Sequence, residues 1–350
     1  MTQLHTASTA TPSLTAASPL AGRRNQTIDA IRVFAAAGIV FVHAVEAPFF
    51  DKWGNLFRFG VPFFLFASLY FQSLSLRRNA DRPLGRFIAE RFARLYLPFL
   101  VWGLIYLLAR DAERITINHL PPVRLRLSML WTGTEYHLWF LPFLLAWVIA
   151  LAVLYHALIR RDSRWRWLVI AAAVVAGCVA AARPAPTLPD ASVMTYDNPA
   201  ITYAYWSMAA PAALGAIAFA CLMAMGPAIY SVPAPLGWAG LALVAACSIR
   251  QALHGIELAP RALTGLGSML VALVPWKSSA IPPLARIGRR GYGIYLCHVI
   301  PVEMIHIIFH HLHLGPSPWL DVANFAVSFV GAIGIVLLLE KSPKTAWLNG

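Results

Sequence analysis

The sequence predicts an all-α, polytopic membrane helix bundle, and three observations predict it. Hydrophobic residues make up 59% of the 350-residue chain and charged ones only 12%, about half the ~25% usual in soluble domains. The apolar residues gather in runs of about 20, the length a helix needs to cross a bilayer core. The basic residues, which give a net charge of +13, fall between those runs with a preference for one side.

Taken in order, residues 1–27 are rich in Ala, Ser, Thr and Pro and lack the apolar core of a signal peptide, so they read as a disordered cytoplasmic tail. Ten spans follow, near 29–49, 56–75, 92–109, 138–159, 167–182, 201–225, 236–250, 260–276, 291–312 and 319–339. They form one transmembrane domain over 28–341, and 342–350 is a short cytoplasmic tail. With the N-terminus inside, the cytoplasmic segments carry Arg23, Arg24, the arginines between Arg77 and Arg94, those between Arg160 and Arg166, Lys277, Arg286, Arg289, Arg290, Lys341 and Lys344. The opposite loops carry about half as many: Lys52, Arg58, Arg110, Arg114, Arg124, Arg126, Arg183, Arg250 and Arg261. The bias places both termini in the cytoplasm.

The positive charge therefore reads as topology and contact with anionic lipid. Nucleic-acid binding would need the basic residues on one soluble surface, and none is visible. Cys178, Cys221, Cys247 and Cys297 lie in apolar stretches without a CxxC pair and read as small core residues. The longest outer loops, 110–137 and 183–200, hold Pro121, Pro122, Pro184, Pro186 and Pro189 and are expected to shape a pocket facing away from the cytoplasm.

The most informative residues are Arg32 and His43, eleven positions apart in the first span. Eleven steps of roughly 100° return a helix to within ~20° of its starting angle, so both face one way, about 16 Å apart in depth. An Arg inside a span costs about 2.5 to 3.5 kcal/mol on insertion scales and usually lines a cavity or substrate path. Asp29 and Glu46 fall on the same stripe. A boundary ion pair at Asp29 and Arg32 with a hydrogen-bonded His43 would be the bland account; a general base of near-neutral pKa at His43 is the functional one.

Arg91 and Arg94 share a helix face at the entrance of the third span, where two guanidinium forks suit a phosphate as well as a lipid headgroup. Glu135 precedes His137-Leu138-Trp139-Phe140-Leu141, which opens the fourth span on the outer side and sets an acid and a titratable ring beside the expected pocket. Tyr295 and His298 are polar positions within the ninth span. His306, His310 and His313 share a face, yet no carboxylate or Cys of matching spacing accompanies them, so no metal is expected.

In this order the pieces resemble the acyltransferase family 3 of integral membrane proteins. The match comprises Asp29-x-x-Arg32, the ten residues between Arg32 and His43, Arg91-x-x-Arg94, His137 to Leu141, and the late Tyr292 to His298. The resemblance implies an O-acyltransferase of the bacterial inner membrane. Its donor would be cytoplasmic acyl-CoA, with acetyl-CoA the first choice. Its acceptor would be a hydroxyl on an exopolysaccharide, lipopolysaccharide or lipid-linked sugar. It implies catalytic roles for His43, Arg32 and Asp29, donor binding by Arg91 and Arg94, and substrate binding by Glu135, His137, Trp139, Tyr295 and His298. Two positions depart from the family pattern: Leu69 follows Ser68 where Gly is usual, and Gly291 stands where Ser is common. A polytopic transporter is the rival class, disfavoured by the absence of visible inverted repeats and by the asymmetric basic mouth.

Overall fold

The computed structural model describes residues 25–116, 119–162, 164–187, 199–223, 225 and 231–349, apart from the side chains of 48, 51 and 52. The N-terminal tail expected over 1–27 lies outside the described residues up to position 24, as does most of the 183–200 loop with Pro189. Among the described residues all regular structure is helical.

The first helix, α1 (Gln26–Ala44), starts where Asn25 accepts a hydrogen bond from the Thr27 amide at 2.9 Å, an N-cap that satisfies one of the helix's free donors. A short α2 (Pro48–Trp53) and a 3-10 turn (Gly54–Phe57) lead into α3 (Gly60–Arg78). Next come α4 (Leu84–Thr116), the one-turn α5 (Met129–Thr132), α6 (Phe140–Leu154, ending in a π turn at Tyr155–Ile159), α7 (Arg164–Ala181), α8 (Pro199–Met223), α9 (Ala234–His254) and α10 (Leu258–Leu273). The last set is α11 (Ile281–Gly288), α12 (Gly291–Cys297), α13 (Val299–His311), α14 (Pro318–Glu340) and α15 (Pro343–Ala346).

Nine helical stretches among the described residues are long and apolar enough to cross a membrane, where the sequence predicts ten. The difference is the run at 260–276. It forms α10, whose 16 residues reach only about 24 Å against a core of about 30 Å. It begins at the turn clamped by Arg250 and Glu257 and ends where the Val232 amide, just before α9, donates to Leu273 O at 3.2 Å. It packs against α3, α8 and α9. A helix wrapped in protein does not have to match the lipid thickness.

The chain ends α14 at the same end of the bundle where α1 begins. Arg290 pairs with Glu340 at 2.7 Å, and Gly288 backs onto Asp29, so the start of α1, the start of α12 and the end of α14 share one basic end. Helix α7 is peripheral: only Val169 and Ala173 are buried along it. Its Cys178 is exposed, contrary to the expected core role, whereas Cys221, Cys247 and Cys297 are buried. The residues after 341 are docked rather than free. Trp102 Nε1 donates to Leu348 O at 3.1 Å and Asn349 Nδ2 to Val336 O at 3.3 Å.

Both ends of α1 are pinned. At the basic end Gly288 leaves no room between α11 and the Asp29 carbonyl, which a Cβ would overlap. At the other end α14 caps it: Asp321 accepts from the Glu46 and Ala47 amides at 3.1 and 2.9 Å, and Asn324 Nδ2 donates to Ala44 O at 3.1 Å. The cap turns the chain extended at Val45, so Glu46 leaves the helical stripe on which its spacing had placed it and meets His306 at 3.6 Å instead. Gly288→Ala should force α11 away from α1 and destabilise the fold by about 1–3 kcal/mol, as overpacking does. The check is a lowered thermal unfolding midpoint in detergent relative to Gly334→Ala, whose added Cβ meets open space.

Candidate active site: two cavities beside the first helix

Pinned in this way, α1 presents its polar stripe to two cavities. The larger, about 680 Å³, opens at the basic end and is lined by Arg32, Arg78, Arg91, Arg94, Arg289 and Tyr292, among others. The smaller, about 80 Å³, lies toward the other end, where His43, Tyr136, His137, Trp139, Tyr205 and two arginines face it. Phe140 and Tyr295 contribute to both, so one aromatic wall divides them.

In the larger cavity Asp29 is buried and receives Arg32 Nη1 at 2.7 Å, one helical turn along. That bond fixes the guanidinium against the Phe71 ring, 5.1 Å from its centroid, and still leaves it on the cavity wall. The sequence-predicted pair Arg91 and Arg94 arrives from α4, with Arg91 stacked over Phe87 at 5.1 Å and its Nε buried without a partner. Of the arginines just before them, Arg82 and Arg86 are engaged by Glu90 and do not reach the wall. The cavity is therefore a basic vestibule with room for a polyanion.

The smaller cavity has a layered back. The His43 and His298 rings are 5.3 Å apart, His298 and His137 4.9 Å, and His137 and Tyr295 5.5 Å. His298 Nδ1 sits 2.7 Å from Tyr295 O; a carbonyl only accepts, so Nδ1 carries the hydrogen and Nε2 keeps its lone pair. His298 is fully buried and stands behind His43 rather than on the wall, and its Nε2 is buried without a hydrogen-bond partner. Tyr295 donates to His137 O and ties α12 to the segment before α6. That segment can turn so sharply because Gly133 adopts φ +84°. Trp139 stacks on Tyr205 with centroids 5.4 Å apart and planes at 8°.

Glu135 departs from its expected place. It lies between α5 and α6, buried in an ion pair with Arg110, and touches neither cavity. Burial pushes its carboxyl up to about 7, with the Arg110 guanidinium pulling the other way. The same carboxylate accepts from the Tyr136 amide at 3.2 Å, which ties Arg110 to the loop before His137. Of the three histidines predicted to share a face, His306 and His310 lie on α13, whereas His313 falls beyond its end with φ +55°; among the described residues no three His, Cys, Asp or Glu side chains converge.

The two departures from the sequence pattern are accommodated. Leu69 is fully buried in the core of α3, while its neighbours Ser68 and Tyr70 line the vestibule, so the larger side chain does not narrow it. Gly291 borders the same vestibule beside Arg32 and Phe64.

A family model described as an acyltransferase domain matches residues 25–341. The chain belongs to the acyltransferase 3 family. The match spans every helix from α1 to α14, and with nine long apolar helices it makes the chain an integral membrane acyltransferase. No curated protein and no solved structure matches it.

Sequence reasoning missed Arg58 and Arg261, which it counted as outer-loop charges. Both line the small cavity, Arg58 just before α3 and Arg261 in the first turn of α10. The available signal was that Arg261, like Arg32, stands alone inside an apolar run. Tyr295→Phe should leave the buried His137 carbonyl without its donor and cost about 1–3 kcal/mol. A larger drop in thermal midpoint is expected than for Tyr292→Phe, whose hydroxyl reaches Leu95 O only at 3.3 Å.

Proposed function

We propose that this membrane acyltransferase moves an acyl group, acetyl in the first instance, from cytoplasmic acyl-CoA to a sugar hydroxyl of an exopolysaccharide, lipopolysaccharide or lipid-linked acceptor. The observation that carries the proposal is the divided site: a basic vestibule and an imidazole chamber meet at one aromatic wall formed by Phe140 and Tyr295. A nucleotide thioester has the matching shape, with its phosphates at one end and its reactive carbonyl at the end of a long flexible arm. Arg91 and Arg94 hold the phosphates, and the arm reaches along α1 toward His43, a depth of about 16 Å from Arg32. The basic end faces the cytoplasm in this reading, which follows the positive-inside bias and puts the donor pool at the vestibule.

The chemistry then proceeds by general base catalysis. His43 takes the proton from the acceptor hydroxyl as its oxygen bonds to the thioester carbonyl carbon. The resulting oxyanion collapses, the carbon–sulfur bond breaks, and the imidazolium returns its proton to the departing thiolate. Products are the sugar ester and free CoA thiol. His298, with its hydrogen fixed on Nδ1, packs behind the His43 ring, and Arg32, oriented by Asp29, adds positive charge on the donor side. The family supports acyl transfer over transport, and the asymmetry of the two cavities supports a donor and an acceptor of different chemistry.

His43→Ala is expected to lower acyl transfer in inner-membrane vesicles by about 10²–10⁴-fold, the usual contribution of a general base, with insertion into the membrane unchanged. Full activity in that variant would remove the imidazole from the mechanism. Replacing Arg91 and Arg94 together by Ala should weaken acetyl-CoA binding in detergent at least tenfold while leaving acceptor affinity near its original value; unchanged donor affinity would defeat the phosphate assignment.

A further inference from the structure

Several cations of this interior are answered by a carboxylate. Arg32 has Asp29, Arg110 has Glu135 and Arg290 has Glu340. Arg58 and Arg261 are joined to no carboxylate among the described residues. Arg261 is 6% exposed, its Nε lacks a hydrogen-bond partner, and its Nη1 meets only the weakly accepting Met208 sulfur at 3.9 Å. The Arg58 Nε is likewise buried without a partner. The two guanidiniums are near enough for their charges to act on one another, and Arg58 near enough to act on His43. Two like charges set together in a narrow, largely buried cavity, with no carboxylate partner among the described residues, raise the energy of that cavity, and an anion entering it relieves the cost.

The other walls indicate what carries the anion. Tyr205, close to both arginines, lies flat on Trp139, and Trp206 Nε1 donates to Trp139 O at 3.1 Å and fixes that stack. A flat aromatic surface, a pair of planar cationic forks and a proton acceptor at His43 face one space. They match a sugar ring, its acidic substituent and its reacting hydroxyl. At about 80 Å³ the cavity admits one small charged group with little else, so it reads the end of an acceptor rather than engulfing a polymer.

We propose that Arg58 and Arg261 form a carboxylate-binding subsite that selects an acidic sugar, a uronic acid or a sugar with a carboxylate substituent, as the acceptor. The proposal rests on the acyl-transfer reading for its setting, while the anion site itself is measurable without any transfer.

The test uses the purified full-length protein in detergent, with methyl glucuronoside and methyl glucoside as matched acidic and neutral probes. Methyl glucuronoside should raise the thermal midpoint while the glucoside does not, and it should be acetylated from acetyl-CoA with a KM at least tenfold lower. In the Arg58→Gln, Arg261→Gln double variant the two probes should become equal, through KM far more than kcat. The variant without ligand should be no less stable than the original, because two uncompensated cations are gone; the double Lys variant, which keeps the charge, should recover part of the preference. A second arm compares succinyl-CoA with acetyl-CoA on methyl glucoside. A preference for the succinyl donor that the Gln variant loses would assign the same carboxylate site to the acyl chain and overturn the acceptor assignment. Equal response to the acidic and neutral probes, or a preference that survives in the Gln variant, would overturn the subsite. Stabilisation by glucuronoside that needs both arginines, with no transfer to any acceptor, would uphold the subsite and defeat the acyl-transfer reading instead.

Discussion

The site depends on how α1 is held. Arg32 and His43 share a stripe because of helical periodicity, but a stripe has no function until it is fixed in rotation and depth. Gly288 fixes it at one end by letting α11 meet the Asp29 carbonyl, and Asp321 and Asn324 of α14 fix it at the other by closing the exposed backbone groups after Ala44. In an interior without water, amides and carbonyls that lack partners are costly, so these caps constrain α1 more firmly than apolar contacts alone would. The two cavities are then simply what remains between α1 and the helices that cannot approach it.

The chambers differ in how their charge is balanced, and that difference gives them separate chemistry. The vestibule keeps its arginines toward an open mouth, where a polyanion can arrive from bulk water. The inner chamber is small and aromatic and is separated from the vestibule by Phe140 and Tyr295, so its arginines and His43 face a narrow space among rings. Tyr295 lines that chamber and also ties α12 to the His137 carbonyl, and His298 lies behind His43. They position the site.

Much of this was legible in the sequence. The apolar runs marked every traverse, and the residues that alternate between charge and ring, Asp29, Arg32, His43, Arg91, Arg94, His137, Trp139 and Tyr295, all come to one of the two cavities or brace a residue that does. Glu135 was misplaced because sequence adjacency to His137 says nothing of Arg110, which lies on α4 and captures it. Glu46 was misplaced because the helix ends at Ala44, and what ends it is Asp321 at the far end of the chain. Arg58 and Arg261 were missed because each sits at a helix start, where an arginine ordinarily belongs to the membrane boundary.

The sequence by itself determined the class of fold, the order of the helices and the residues with the chemistry for the site, because burial of apolar surface and helical period act locally along the chain. Tertiary structure alone decided which charges find a partner. Arg110 meets Glu135 and Arg58 meets no carboxylate among the described residues, though nothing in the residues around either one distinguishes them. Ion pairing is settled by distances of a few ångströms between segments far apart in sequence, and those distances exist only once the helices have packed.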